Sequence, residues 1–287
     1  MEQQLLLDRL ETDLKLRNRS KCTAVCYLKN AKRYIEFIDC PIEDTDEEDI
    51  RAFIAYLIDL DYQPATTNNY LSTVLFLYEV TLNRPVNRRQ VPFMKIKKKP
   101  IDLLNREEIA SILVGTTRLN YRAAFMLAYS GGLRLSEVRH LKTRDIDATD
   151  MRIHVVDSKR GKSRYTVLSP ICLDALRTYW KACQPKSPEG WLFPQIKDPA
   201  KPIGYKSLQR AFEKEIDSCN ITKNASFHTL RACFATHLLE NGVDIFKIKE
   251  LMGHASICST VRYLHLANAS KGITSPLDAL FKGGVYV

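Results

Sequence analysis

The sequence predicts a mainly helical protein of the α+β class, in which a small all-helical N-terminal domain precedes a mixed α/β domain that holds a small antiparallel β-sheet. The 287 residues are enough for two compact domains, at roughly 100–200 residues per domain. Apolar residues recur at helical spacing through most of the chain, and one segment, 151–170, has the pattern of a β-hairpin. We therefore expect a helical domain over 1–85, a linker over 86–102 and the mixed domain over 103–287.

The first 85 residues are predicted to form helices. The segment from Ser20 to Cys40 places apolar side chains three or four residues apart, as in an amphipathic helix: Val25, Leu28, Ala31, Ile35 and Ile38. Another helix follows the acidic run Glu43–Asp49, where Asp46 is the expected N-terminal cap and the carboxylates face the positive end of the helix. A third begins after Pro64 and extends from about Thr66 to Val80.

Residues 83–102 read NRPVNRRQVPFMKIKKKPID and contain three prolines and seven lysines or arginines. Proline stops a helix and biases the preceding residue toward an extended backbone, so this stretch is interpreted as a basic interdomain linker. A solvated loop explains its polarity but not the density of one charge sign. The basic side chains near its end are Lys95, Lys97, Lys98 and Lys99.

In the second domain, Asn105 is the expected cap of a helix, and YRAAFMLAYSGG has the pattern of a buried helix that ends at glycine. In the predicted hairpin, Ile153, Val155 and Val156 lead into a basic turn and a second strand that starts near Tyr165. Helices are then predicted at about 171–183, 205–219, 228–240, 244–252 and 256–265.

The net charge of +10 suits a protein that binds a polyanion, although basicity alone is weak evidence. No apolar run approaches the roughly 20 residues that span a bilayer. The N-terminus lacks a basic region followed by an apolar one, so we expect no signal peptide and a cytoplasmic protein without a membrane partner. None of the eight cysteines forms a CxxC pair, which speaks against a zinc site, and Cys22 and Cys26 are interpreted as small buried hydrophobic residues.

Two basic motifs come first along the second domain. In Ser130-Gly-Gly-Leu-Arg134-Leu-Ser136-Glu137, the arginine follows two glycines and precedes Ser136, a predicted helix cap, so its guanidinium can point into a cleft. The alternative is a solvent-exposed arginine beside a glycine cap. The hairpin tip carries Lys159, Arg160, Lys162 and Arg164, which are either a solvated surface or groups that enter a DNA groove, where a lysine could protonate a leaving oxygen.

Two further motifs lie toward the C-terminus. His228 and Arg231 are spaced i, i+3 and project from one face of a helix, which suits two oxygens of one phosphate, although a structural His/Arg pair is an alternative. His254 follows Gly253, and Tyr263 lies nine residues further on. Taken alone, Tyr263 would be interpreted as a core aromatic residue.

The order of these motifs resembles the catalytic domain of the tyrosine recombinases, the family of phage integrases and Xer-type recombinases. The resemblance spans about residues 100–270 and rests on "SGGLRLSEVRHLKTRDID", "FHTLRACFATHLLENGVDIFKIKELMGHAS" and "STVRYLHL". The helical N-terminus resembles, more diffusely, the family's SAM-like core-binding domain. Ala232, Met252 and Leu264 depart from the usual pattern, but none of these departures removes a catalytic group.

The resemblance implies six catalytic residues: Arg134, Lys159, His228, Arg231, His254 and Tyr263. Tyr263 would be the nucleophile, and the two arginines would hold the scissile phosphate. Glu137 would support the first arginine. The general acid is expected to be Lys159, with Lys162 as the alternative because a hairpin alignment can slip. The basic residues of the linker and the hairpin are expected to contact DNA: Lys95, Lys97, Lys98, Lys99, Arg160, Lys162 and Arg164.

The resemblance also implies a site-specific recombinase that cleaves and rejoins strands through a 3′-phosphotyrosyl intermediate and a Holliday junction. No metal or nucleotide cofactor is expected. The expected partners are double-stranded recombination sites and further copies of the chain, as a tetramer on two sites or a monomer in solution. The two domains would form a C-clamp around DNA, and Asp278–Phe281 would dock on a neighbouring protomer. A type IB topoisomerase-like enzyme and a non-catalytic DNA-binding protein remain as alternatives.

Overall fold

The computed structural model describes residues 3–96, 102–156 and 163–264, which form two compact units divided between Lys99 and Pro100. Lys97, Lys98, Lys99, Lys159, Arg160, Lys162 and the segment Asp278–Phe281 therefore lie outside the described residues. The described part is mostly helical and contains one three-stranded antiparallel sheet, which confirms the predicted fold class. None of the described helices combines the length and the apolar composition that would cross a membrane.

The N-terminal unit is a bundle of four α-helices: α1 (Gln3–Leu16), α2 (Lys21–Phe37), α3 (Glu47–Asp59) and α4 (Pro64–Phe76), the last continued by a π-helical turn over Leu77–Thr81. Asp46 caps α3 as predicted: its carboxylate accepts from the Glu48 amide at 2.7 Å. Leu10, Phe53 and Val74 are fully buried in the core of this unit.

Helix α2 buries most of the face that the spacing predicted: Ala31 and Ile35 are in the core, and Leu28 and Ile38 pack against it. Val25 is exposed, because it lies nine residues before the buried Tyr34 and two and a half turns place the two on opposite sides of a helix. Asn30 is buried and donates to the Thr73 hydroxyl at 3.2 Å, which satisfies the amide inside the bundle. Cys22 is exposed, so the prediction that it is buried was wrong.

The described part of the predicted linker packs on the N-terminal unit. Asn68 donates to the carbonyl of Met94 and accepts from its amide, both at 2.9 Å, and Val91 is buried. Arg88 forms two hydrogen bonds with the Glu79 carboxylate, at 2.8 and 2.7 Å. These contacts hold residues 86–94 to α4 and the turn that follows it.

The C-terminal unit combines its sheet with eight described α-helices: α5 (Arg106–Gly115), α6 (Leu119–Ser130), α7 (Leu135–His140), α8 (Pro170–Cys183), α9 (Tyr205–Ser218), α10 (Phe227–Glu240), α11 (Ile245–Met252) and α12 (Cys258–Leu264). The last five differ from their predicted bounds by no more than two residues. Asn105 caps α5 as predicted, accepting from the Glu108 amide at 2.7 Å.

The sheet has the order β1 (Ile146–Asp147), β2 (Arg152–Val156) and β3 (Ser163–Val167), and β2 pairs with β3 as the predicted hairpin. Ile153 and Val155 of β2 are buried against the helices, whereas Val156 is exposed. Because alternate residues of a strand face opposite sides, this burial fixes which side chains of β3 face the helices.

Three phenylalanines join α6, α9 and α10 at the centre of the C-terminal unit. The ring of Phe125 lies 5.3 Å from that of Phe212 and 5.8 Å from that of Phe227, both edge to face, and all three side chains are fully buried. Edge-to-face pairs of this kind stabilise a core beyond the area that they bury. This cluster fixes α10, which carries the His-x-x-Arg motif.

We expect Phe212→Ala to lower the free energy of unfolding of this unit by about 3–5 kcal/mol, since it leaves a cavity among buried rings. The matched control is Phe246→Ala, whose ring is exposed and whose removal should cost no more than about 0.5 kcal/mol. Urea unfolding followed by tryptophan fluorescence measures both, because the two tryptophans, Trp180 and Trp191, lie in the C-terminal unit. Equal losses in the two variants would contradict the assignment of Phe212 to the core.

Candidate active site

A buried carboxylate, that of Glu137, lies at the centre of the site. Glu137 is in the first turn of α7, and its side chain is 8% exposed. It accepts from the Arg134 amide at 2.8 Å, from Nη1 of Arg134 at 2.6 Å, and from Nη1 and Nη2 of Arg164 at 2.9 Å each. Burial by itself would raise the pKa of Glu137, but the hydrogen bonds and charge of Arg164 lower it to about 2. The carboxylate is therefore ionised at neutral pH.

The side chain of Arg231, on α10, is buried beside this carboxylate and is 1% exposed. Its Nη1 lies 3.5 Å from Oε2 of Glu137 and donates to the carbonyl of Gly132 at 2.6 Å, and its Nη2 donates to the carbonyl of Met252 at 2.6 Å. Burial and repulsion from Arg134 lower the pKa of Arg231 to about 9, against the attraction of Glu137, so the guanidinium stays charged at neutral pH. Arg134 differs, since its side chain is 35% exposed.

The turn before α7 depends on glycine. Gly132 has φ of +62°, and a Cβ atom there would lie 2.3 Å from the ring of Phe234. The turn directs the Gly132 carbonyl at Arg231 and starts the helix at Leu135, so that Arg134 is the residue that caps α7. Ser136, the predicted cap, lies inside the helix, because α7 already begins at Leu135, where the Glu137 carboxylate accepts the amide of the capping residue Arg134.

Arg164 occupies a position that the sequence did not indicate. It was expected to contact DNA from the hairpin tip, but it lies in β3 with its side chain 11% exposed and bonded to both oxygens of Glu137. Its Nε also donates to the carbonyl of Leu251 at 2.7 Å. The structure therefore places Arg164 inside the ion-pair cluster, where Glu137 balances its buried charge.

His254 lies directly after α11, where Gly253 ends the helix with φ of +64°. Its Nδ1 is 2.8 Å from the hydroxyl of Thr260, and its ring stacks on that of Tyr263 with centroids 6.3 Å apart. Burial and the positive charges of Arg231 and Arg134 lower the pKa of His254 to about 4. The imidazole is therefore neutral at neutral pH.

His228 is the second residue of α10, one helical turn before Arg231, and it is exposed at the surface. Desolvation of the ring by the surrounding protein and the charges of Arg231, Arg134 and Arg262 lower its pKa. Both imidazoles of the site thus lie within the field of the same arginines.

Tyr263 lies in α12, and its side chain is 4% exposed. Its ring packs in a cluster of side chains from α10 and α11: Ala232, Phe234, Ala235, Ile248 and Met252. This packing, together with the stack on His254, holds the Tyr263 ring next to His254. The ring is therefore packed like a core aromatic residue and is also a neighbour of the site.

The structure brings together residues from every described motif. Arg134, Glu137 and Arg231 form one cluster, and His228, His254 and Tyr263 lie around it. Lys159 and Lys162 lie outside the described residues, and Lys95 is exposed on the N-terminal unit. Within the described ranges, no three His, Cys, Asp or Glu side chains are grouped to hold a metal ion.

Sequence reasoning missed two contributors to the site. Thr260 is fully buried and bonds His254, and Arg262 is an exposed cation that acts on both imidazoles. Arg262 directly precedes Tyr263, so its position in the motif "STVRYLHL" was the available signal. Thr260 carried no signal, because a threonine in a helix is ordinary until its partner is known.

Comparison with known proteins identifies one family. Residues 102–270 match the family model of the phage integrase family, and residues 6–88 match that of the N-terminal SAM-like domain of phage integrases. The "Putative integrase/recombinase y4qK" of Sinorhizobium fredii (strain NBRC 101917 / NGR234) is 33% identical over 278 residues, which cover 96% of this chain and 89% of the relative. The "Tyrosine recombinase" of Thermosipho africanus (strain TCF52B) is 28% identical over 271 residues, 89% of this chain and 93% of that one.

A solved structure, that of the Tn1549 transposon integrase in complex with transposon right end DNA, matches with a TM-score of 0.72 at 16% identity, over 96% of each chain. At this identity the match shows a shared fold. The family models and the relatives go further: the chain belongs to the phage integrase family. It is a tyrosine recombinase, an enzyme that transfers DNA strands.

We expect His254 to make the folded protein sensitive to acid. Its pKa is about 4 in the folded chain against an ordinary value of 6.5, so the unfolded chain takes up a proton at a pH where the folded chain does not. Acidification from pH 6.5 toward 4 therefore favours unfolding, and the melting temperature should fall less in His254→Gln than in the wild type. Differential scanning fluorimetry between pH 7 and 5 measures the two melting temperatures. This range lies above the pH at which Glu137 titrates, so that carboxylate does not contribute. Parallel curves for the two proteins would contradict the lowered pKa.

Proposed function

We propose that this chain is a site-specific DNA recombinase that cleaves and rejoins strands through a 3′-phosphotyrosyl bond to Tyr263. The observation that carries the proposal is the cluster around Glu137, in which positively charged guanidinium groups and two neutral imidazoles surround one carboxylate beside the Tyr263 ring. A phosphodiester is the anion that such a set of donors recognises.

The charge of the cluster suits the reaction. Arg134, Arg164 and Arg231 contribute +3 and Glu137 contributes −1, which leaves +2. Attack of a phenolate on a phosphodiester places two negative charges on the non-bridging oxygens of the phosphorane. Donors that are already in place where this charge develops stabilise the transition state without reorganisation, often by several kcal/mol per donor.

Arg134 is proposed to bind the phosphate directly. Among the described residues only its Nη1 is bonded, to Glu137, so Nε and Nη2 are available to phosphate oxygens. Arg231 is proposed to stabilise the phosphate by its charge from the protein interior, since its side chain is almost fully buried but stays charged. His254 is proposed to donate a hydrogen bond: when the Thr260 hydroxyl donates to Nδ1, the proton of the neutral ring is on Nε2.

In the proposed reaction, the Tyr263 hydroxyl loses its proton to water and its oxygen attacks phosphorus. A phosphotyrosyl ester forms at the 3′ end as the bond from phosphorus to the 5′ oxygen breaks. Lys159 donates a proton to that oxygen and removes one from the incoming 5′-hydroxyl in the second step. The ester conserves the energy of the broken bond, so the proposed mechanism uses neither nucleotide nor metal.

For the assembly, we propose a tetramer on two recombination sites, in the cytoplasm, acting in integration, excision or resolution of DNA such as a mobile element. Strand exchange would pass through a Holliday junction. The domains over 1–85 and 103–287 are proposed to clamp DNA together with the basic linker over 86–102, and Asp278–Phe281 is proposed to dock on a neighbouring protomer. A cleft of about 400 Å³ between α6 and α9 adds basic side chains suited to phosphates: Arg118, Lys206, Arg210 and Lys214.

We expect Tyr263→Phe to keep DNA binding and to lose covalent attachment, because only the hydroxyl is removed. A nicked suicide substrate traps the adduct, and a denaturing gel detects it. The matched control, Tyr165→Phe, removes the hydroxyl of an exposed tyrosine in β3 and should form the adduct at the wild-type rate. An adduct on the Tyr263 variant would show another nucleophile, and no adduct from the wild type would favour a non-catalytic DNA-binding protein.

A substrate whose leaving 5′ oxygen is replaced by sulfur tests which lysine is the general acid. A thiolate leaves without a proton, so this substrate should restore cleavage by Lys159→Ala if Lys159 is the acid. Lys162→Ala should keep cleavage of the ordinary substrate and lose one phosphate contact, which makes its DNA affinity less dependent on salt. Rescue of Lys162→Ala with no rescue of Lys159→Ala would exchange the two roles.

A further inference from the structure

We propose that Arg164 is a positioning residue that holds together the two halves of the active site. One half is the arginine clamp, formed by Arg134 and Arg231 on Glu137, and the other is the end of α11, which carries His254. The proposal rests on the proposed function, since it needs these residues to surround the scissile phosphate.

On the clamp side, the guanidinium of Arg164 bonds both carboxylate oxygens of Glu137. Its Nη1 donates to Oε1 and its Nη2 to Oε2, each at 2.9 Å. Arg134 shares Oε1, and Arg231 lies 3.5 Å from Oε2. Without Arg164, the carboxylate would have only the clamp arginines to balance its charge, and they would be drawn onto Glu137 and away from the phosphate.

On the other side, the same guanidinium holds the end of α11. The last carbonyls of a helix have no partner within it, and positive charge is favourable there. Arg164 Nε donates to the carbonyl of Leu251 at 2.7 Å, and Arg231 Nη2 donates to that of Met252 at 2.6 Å. Arg164 and Arg231, which both contact Glu137, thus serve as partners for the last two carbonyls of α11, shortly before His254.

The fit of Arg164 against the next residue is close. Gly253 has φ of +64°, and a Cβ atom there would lie 2.8 Å from Cδ of Arg164 and 3.0 Å from its Nη1. The arginine therefore occupies the space beneath the turn that directs His254. With its side chain 11% exposed and three of its nitrogens bonded, little of Arg164 is left to reach DNA.

The test compares Arg164→Met and Arg164→Lys. Methionine keeps much of the volume and removes the charge, so covalent adduct formation at saturating DNA should slow by about 10- to 100-fold, the size of effect expected from a small displacement of catalytic groups. Non-covalent DNA affinity should change little. Lysine restores the charge but cannot bond both carboxylate oxygens and the Leu251 carbonyl in one plane, so its rate should be intermediate.

A neutral substrate separates positioning from damage to the fold. When methyl replaces one non-bridging oxygen of the scissile phosphate, that phosphate has no negative charge and the clamp has less to stabilise. If Arg164 acts through the clamp, the ratio of wild-type to variant rates should approach one on this substrate while staying large on the ordinary phosphate. A general loss of structure lowers both rates alike.

The control is Arg152→Met in the adjacent strand β2, where the arginine pairs with Asp147 at the surface and its loss should leave adduct formation unchanged. Rates for both Arg164 variants equal to that of the wild type would overturn the proposal, and so would equal defects on the charged and neutral substrates. Should Arg164→Met fail to fold, Arg164→Lys decides by the same two comparisons. Absence of adduct from the wild type would instead remove the proposed function.

Discussion

A single buried carboxylate, that of Glu137, is the constraint on which the site depends. Moving a charge out of water costs several kcal/mol per ion, and the cost is offset only by well-placed opposite charges and hydrogen bonds. Glu137 receives four hydrogen bonds from Arg134 and Arg164, and Arg231 lies within ion-pair distance. The carboxylate is thus the reason that arginines from α7, β3 and α10 can lie close together, since without it their charges would repel.

The backbone around the cluster is arranged to complete these bonds. Arg231 would have unsatisfied donors in the interior if the carbonyls of Gly132 and Met252 did not accept from it. Gly132 and Gly253 adopt positive φ angles beside Phe234 and Arg164, at distances where no Cβ atom fits. Two turns that look like ordinary helix ends in the sequence are therefore parts of the site, and each presents a carbonyl or an imidazole to the arginines.

The sequence predicted what depends on spacing along the chain. The i, i+3 spacing placed His228 and Arg231 on one face of a helix, and the caps at Asp46 and Asn105 followed from residue type. It did not predict contacts between distant elements. The partner of Arg164 could not be identified without the packing of β3 against α7, because a charged residue next to a basic turn has the same pattern whether it faces water or a buried carboxylate. For the same reason Ser136 was taken as a cap.

The state of the site before DNA binds follows from its electrostatics. Desolvation, together with the positive surplus, lowers the pKa of His228 and His254, so the imidazoles stay neutral and the guanidinium groups carry the charge. A neutral imidazole keeps one N–H donor and one acceptor, which lets His254 bond Thr260 and still face a ligand. An anion that enters this field relieves repulsion among the arginines and also favours protonation of the histidines. The net positive charge of the cluster therefore has an electrostatic cost that packing of the hydrophobic cores must offset, and a bound phosphodiester is proposed to lower that cost where bond making and breaking are proposed to occur.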